Sequence, residues 1–243
     1  MNTFDPSAFT APKAKPLPVV LLLDVSSSMS GSAINNLNSA VKEMVADFAK
    51  AEKSEIELLV SIITFGLDVK LELPYTSASN IDWKDLHANG MTPMGTAFKM
   101  AKGMIEDKEI TPSRAYRPTI VLVSDGAPND EWQRPLKELV NEGRSSKCDR
   151  MAMAIGTGAD NNVLNRFVEG TENGVFTAKD SSEIQKFFKF VTMSVTTRTD
   201  LQNPNILPTK QEIQDISPAA KALVESIAKS TVIEETESGS DFF

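Results

Sequence analysis

The sequence predicts an α/β fold: a doubly wound, mostly parallel sheet with one antiparallel edge strand and helices on both faces. Three observations predict it. Apolar runs that are continuous rather than alternating recur at residues 17–25, 57–65 and 119–123, the pattern of strands covered on both faces. Segments of helical period lie between them, so strand and helix alternate as in βα units. One segment, DVKLEL at 68–73, alternates polar and apolar and follows the second run after a two-residue link, which predicts an antiparallel hairpin.

Residues 1–16 hold three prolines and little periodicity; they read as a flexible lead-in to a domain spanning 17–199. PLPVVLLLDV predicts the first buried strand and ends on Asp24. After SSSMSGS, the residues Ile34, Leu37, Val41, Met44, Val45 and Phe48 form one apolar stripe, a helix with Ser32 as its N-cap. ELLVSIITF at 57–65 is the second strand. Residues 74–92 are turn-rich and run into NGMTPMG; a helix carrying Phe98, Ala101, Met104 and Ile105 follows. The strand at 119–123 enters SDGAPND. A helix is expected over 131–145 with Leu136, Leu139 and Val140 inward, then a strand at 150–155 entering GTGADN. A short helix with Val163, Leu164 and Phe167, a strand at 174–177 and a helix with Ile184, Phe187, Phe188, Val191 and Val195 complete the domain. Residues 200–243 form a C-terminal extension. Its start, QNPNILPTKQ, is linker-like. A short helix at 217–229 places Ala219, Leu223 and Ile227 on one face, and the acidic end EETESGSDFF is expected to be disordered.

Composition narrows the chemistry. The net charge is −8, from 33 acidic and 25 basic side chains, which argues against a general nucleic-acid binder. No apolar run reaches the ~20 residues that span a bilayer, and the N-terminus lacks a signal-peptide core. One cysteine, Cys148, and one histidine, His87, exclude an internal disulfide and a Cys/His zinc cluster within one chain. A cytoplasmic protein is expected, and any metal should be hard and oxygen-ligated: magnesium, manganese or calcium.

Three segments carry that chemistry: DVSSSM at 24–29, GMTPMG at 90–95 and SDGAPND at 124–130. The first and third follow buried strands directly, and in an open parallel sheet such strand ends share one edge where ligands bind. The second opens a helix and could reach the same edge. Asp24 and Asp125 offer carboxylates; Ser26, Ser28 and Thr92 offer hydroxyls. Magnesium takes about six oxygens, so these five leave a position open. With three neutral donors the ion stays electrophilic and accepts an acidic oxygen from outside.

These residues resemble the metal-ion-dependent adhesion site of von Willebrand factor A domains, which reads Asp-x-Ser-x-Ser, then a distant Thr, then a distant Asp. Asp24, Ser26, Ser28, Thr92 and Asp125 match it without departure, and the strand–helix order over 17–199 matches the domain. The resemblance implies a metal-dependent protein-binding domain, not an enzyme, whose partner supplies an Asp or Glu to the metal. TPMGTAF and SDGAPND are similar to bacterial tellurium-resistance-associated proteins of the TerY type. That likeness implies a cytoplasmic adaptor in stress response, encoded beside a protein kinase and a PP2C-type phosphatase. The zinc-binding module that some of those proteins carry is missing from a chain with one cysteine.

Other readings are weaker. A metal-dependent phosphoester hydrolase or phosphotransferase could use the same ion, but no P-loop or evident general base is present. A phosphoryl-accepting Asp24 would need a second aspartate where Ser26 stands. Ser124 lacks the GxSxG elbow, and GTGADN lacks the full dinucleotide pattern. His87 reads as a surface loop residue and Cys148 as a structural thiol. Met29, Met91 and Met94 flank the site and could form an adaptable apolar rim.

Overall fold

A computed structural model describes residues 14–215 and 218–232. Six strands form one sheet: β1 (Lys15–Asp24), β2 (Ile56–Phe65), β3 (Val69–Ser77), β4 (Thr119–Ser124), β5 (Asp149–Ile155) and β6 (Val175–Ala178). Their order is β3-β2-β1-β4-β5-β6. All neighbours are parallel except β2 and β3, and β3 is the antiparallel edge. This is the expected fold class. The helices are α1 (Ser32–Ala51), α2 (Met94–Glu106), α3 (Gln133–Asn141), α4 (Asn161–Val168), α5 (Ser181–Asp200), α6 (Lys210–Asp215) and α7 (Pro218–Val232).

The two-residue period of a strand sorts the core. Leu17, Val19, Leu21 and Leu23 of β1 pack with α1 and α5 on one face, while Val20 and Leu22 pack with α2, α3 and α4 on the other. In β4, Val121 and Val123 join the first layer, and Ile120 and Leu122 the second. Two-sided burial is why these strands read as unbroken apolar runs.

Several details differ from expectation. Gly31, not Ser32, stands at the N-cap of α1, with no side-chain cap. The third strand runs through Ser77. The helix expected over 131–145 stops at Asn141, and a 3-10 turn covers Ser145–Lys147. Glu106 explains the break: its carboxylate accepts the Arg144 and Ser145 N–H groups, each at 3.0 Å, and draws the chain off the helical path. Among the described side chains of α7, Ala220 and Val224 are buried, Leu223 is half-buried and Ala219 is exposed, so the inward face there is shifted by one residue from that expected; the side chain of Ile227 lies outside the described residues. Ile213 and Val224 join the core layer beneath α5. The expected lead-in (apart from residues 14–16) and the expected acidic end at 234–243 lie outside the described residues.

Two contacts fix the ends of the sheet. At the starting edge, Arg198 is fully buried. It donates to the carbonyls of Pro204 (2.7 Å) and Arg117 (2.6 Å) and to Thr119 Oγ1 (3.0 Å). Burial pulls its pKa down to about 10. It ties α5 to β4 and the segment after α5. At the other edge, Asp130 caps α2 from a separate loop, accepting from the N–H groups of Gly95 and Thr96, each at 2.8 Å. The loop can approach because residue 95 is glycine: a Cβ there would lie 2.1 Å from the Glu131 carbonyl oxygen.

Arg198→Ala is expected to cost about 3 kcal/mol in urea unfolding, because it strands buried acceptors. Gly95→Ala is expected to cost about 2 kcal/mol by forcing α2 off the loop, and to disturb Thr92 three residues away.

Candidate metal centre

Asp24 ends β1 and Ser124 ends β4, and the two strands pair in register up to Leu23↔Val123. β1 is the switch point of the sheet, since β2 adds on one side and β4 on the other. Ligands of open α/β sheets bind at such a point, beyond the strand ends.

The Asp24 carboxylate is buried and fully engaged. Its Oδ1 accepts from the Ser26 N–H at 2.8 Å, and its Oδ2 accepts from Ser124 Oγ at 2.5 Å. Ser26 is extended (φ −64, ψ 165), and a 3-10 turn follows at Ser27–Met29, pinned by the buried Met29. That sequence of conformations brings two serine hydroxyls together: Ser26 Oγ and Ser28 Oγ lie 2.9 Å apart. Ser28 Oγ then donates to Asp125 Oδ1 at 2.8 Å. Asp24, Ser26, Ser28 and Asp125 thus form one arc of oxygens across two strand ends.

The third segment is laced onto the first. The Asn89 N–H donates to the Val25 carbonyl (2.7 Å), the Ser27 N–H to the Gly90 carbonyl (3.0 Å), and the Gly90 N–H to Ser27 Oγ (3.0 Å). Gly90 has φ +86, and a Cβ there would lie 2.2 Å from the Leu67 nitrogen, so only glycine fits. Thr92 follows, 7% exposed. Its carbonyl accepts from Met94 (2.8 Å) and Asn129 (3.1 Å). Its Oγ1 lies 3.3 Å from where a Gly126 Cβ would sit, beside Asp125. Among the described residues Thr92 makes no hydrogen bond to the other four.

Burial raises the Asp24 pKa, opposed by the hydrogen bonds from Ser124 and Ser26, while the nearby Asp125 adds to the rise. Burial likewise raises Asp125, opposed by Ser28. Among the described residues no basic side chain acts on either group. Two partly desolvated carboxylates without a counter-cation suit a dication, whose charge would offset their burial. Among the described residues no three His, Cys, Asp or Glu side chains cluster as a metal site. The oxygens brought together here are two carboxylates and the Ser26 and Ser28 hydroxyls, with Thr92 alongside, a set whose chemistry suits a hard ion.

Ser124 was expected only as an unconvincing nucleophile. It is instead the strand-to-strand donor that orients Asp24. The signal for it lay in strand register: the last residues of two adjacent parallel strands face each other. The methionine rim is corrected, because Met29 and Met94 are buried in the two core layers and only Met91 is exposed, at 64%. Burial of the first two anchors the turn and α2 instead of leaving sulfur at the surface. His87 is exposed and lines a cleft of about 290 Å³ with Val25 and Asn89, beside the first loop. Cys148 is buried, and burial pushes its thiol up to about 12.

No protein of curated function matches the sequence. Solved structures share the fold. Proximal thread matrix protein 1 from the mussel byssus, solved with a zinc-occupied metal-ion-dependent adhesion site, aligns with TM-score 0.58 and 18% identity over 74% of this chain and 48% of its own. A von Willebrand factor type A protein from Catenulispora acidiphila gives 0.58 and 16% over 74% and 42%. The ArnB paralog VWA2 from Sulfolobus acidocaldarius gives 0.57 and 18% over 75% and 46%. This chain spans less than half the length of each. The family model for the von Willebrand factor type A domain matches residues 19–190, from within β1 to within α5, and the chain belongs to that family.

Proposed function

We propose that this chain is a divalent-metal-dependent protein-binding module, not an enzyme. Asp24, Ser26, Ser28, Thr92 and Asp125 hold the ion, and a partner's Asp or Glu completes its shell. The observation that carries this reading is the arc of oxygens from Asp24 to Asp125, buried at one end and reaching exposed Ser28 at the other. A cation seated there would meet protein oxygens on one side and solvent or a partner on the other. Magnesium is the proposed ion, and manganese or calcium satisfies the same donors. The zinc-occupied site of the mussel protein supports a divalent ion at this position of the fold.

The reading extends to an adaptor of the tellurium-resistance-associated type. It would act in the cytoplasm of a bacterium, in a stress-response or phospho-signalling complex with a protein kinase and a PP2C-type phosphatase. TPMGTAF and SDGAPND support that extension. No helix among the described residues is long and apolar enough to cross a membrane.

Magnesium at ~100 times its dissociation constant should stabilise the protein by about 2.7 kcal/mol in thermal unfolding, and Asp24→Ala should abolish that gain. The ion competes with protons for Asp24 and Asp125. Both pKa values lie above the ordinary carboxylate value, so protons compete with the ion at a higher pH than they would at ordinary carboxylates. The gain should therefore fade on acidification before pH ~4, where ordinary carboxylates protonate; a gain unchanged below that point contradicts carboxylate ligation. Affinity capture of partners, with and without EDTA, tests the function itself. Capture should be lost both in EDTA and in a folded Asp24→Ala protein, and identical capture in all three overturns the reading.

A further inference from the structure

The opposite edge of the sheet carries the reverse charge. A cleft of about 570 Å³ opens there, before β4 and β5, lined by Arg117, Arg144 and Lys147 together with Ser113, Tyr116 and Asn205. Among the described residues no carboxylate lines it, although the chain as a whole carries −8. None of the three cations takes part in an ion pair among the described residues. Lys147 is exposed. Arg144 spends Nη1 and Nη2 on the carbonyls of Ile105 (2.7 Å) and Pro112 (3.4 Å), contacts that hold the guanidinium at the wall without neutralising it.

Arg117 is the telling residue. Its backbone is locked: the N–H donates to Asn205 Oδ1 at 2.7 Å, and the carbonyl accepts from Arg198. Its guanidinium makes no hydrogen bond among the described residues, and its Nε is buried without a partner. Buried donors are almost always satisfied; here a half-buried guanidinium without an acceptor lines a cationic cleft, and the cleft is where an acceptor can be supplied. The two nearby carboxylates do not meet the demand. Glu106 is held by the backbone of Arg144 and Ser145 and by Lys102. Asp149 is buried and feels Arg198, Arg117 and Arg150 together.

We propose that this cleft is an oxyanion site for a phosphate monoester. A guanidinium fork matches phosphate oxygens in geometry, and an ammonium adds a mobile point charge. A monoester carries close to two negative charges at neutral pH, which offset three cations better than the single charge of a carboxylate ligand would. The volume admits the phosphate and part of the group that bears it, beside Tyr116, whose ring carries the Lys15 ammonium at 3.9 Å. This site lies at the other end of the strands from Asp24 and does not depend on the metal.

The test is calorimetric titration of the full chain in EDTA with inorganic phosphate, ribose 5-phosphate and a phosphoserine hexapeptide. At least one probe should bind saturably. Lys147→Glu and Arg117→Gln should each weaken it by at least ~10-fold, and Asp24→Ala should bind as wild type. The tighter of the two esters identifies the source, a small metabolite or a phosphorylated chain. Lys147 is exposed and bonds through no side-chain atom, so Lys147→Glu decides the matter even if Arg117→Gln fails to fold. No saturation up to ~10 mM with any probe, or undiminished affinity in folded Lys147→Glu, overturns the proposal.

Discussion

The hydrogen bond from Ser124 to Asp24 joins the ends of β1 and β4 at the point where the sheet changes direction. A carboxylate buried at that point is costly unless donors surround it. The Ser26 N–H and the Ser124 hydroxyl meet both of its oxygens. Satisfying them dictates the turn after β1, because the chain must fold back for the Ser26 N–H to reach Asp24. The same turn lines up Ser26, Ser28 and Asp125. Site geometry is thus the consequence of solvating one buried charge with protein groups.

The scaffold supports that arrangement from three directions. Two apolar layers hold β1 and β4 rigidly side by side. Gly90 and Gly95 remove the side chains that would keep the third loop and α2 away. Asp130 locks α2 to the loop that carries Asp125. What these elements leave is a cluster of two carboxylates and hydroxyls at the ends of β1 and β4. The far edge is built the other way, around Arg198 and unpaired arginine and lysine side chains. One sheet therefore carries a carboxylate cluster at one end and a cationic cleft at the other.

The sheet was legible because strands covered on both faces write long apolar runs, and β3 announced itself by alternation. Asp24 and Asp125 were legible because they directly follow such runs. Thr92 was found by motif, yet its placement depends on Gly90 and Gly95, whose role is the absence of a Cβ and leaves no periodic trace. Ser124 escaped because its function is defined by a partner 100 residues away. The early end of α3 depended on Glu106, again a contact distant in sequence. The face of α7 shifted by one residue because a short amphipathic helix with few apolar positions allows two nearly equal choices. The cationic cleft gathers residues from four separate segments, so composition alone shows only a protein with net negative charge.

If the oxygens at the ends of β1 and β4 hold one divalent ion, anomalous diffraction from crystals grown with manganese should show it. A single strong peak is expected within about 2.3 Å of the Ser26 and Ser28 hydroxyl oxygens, facing Thr92 and the two aspartates. A manganese peak elsewhere on the protein with none at this edge would contradict it.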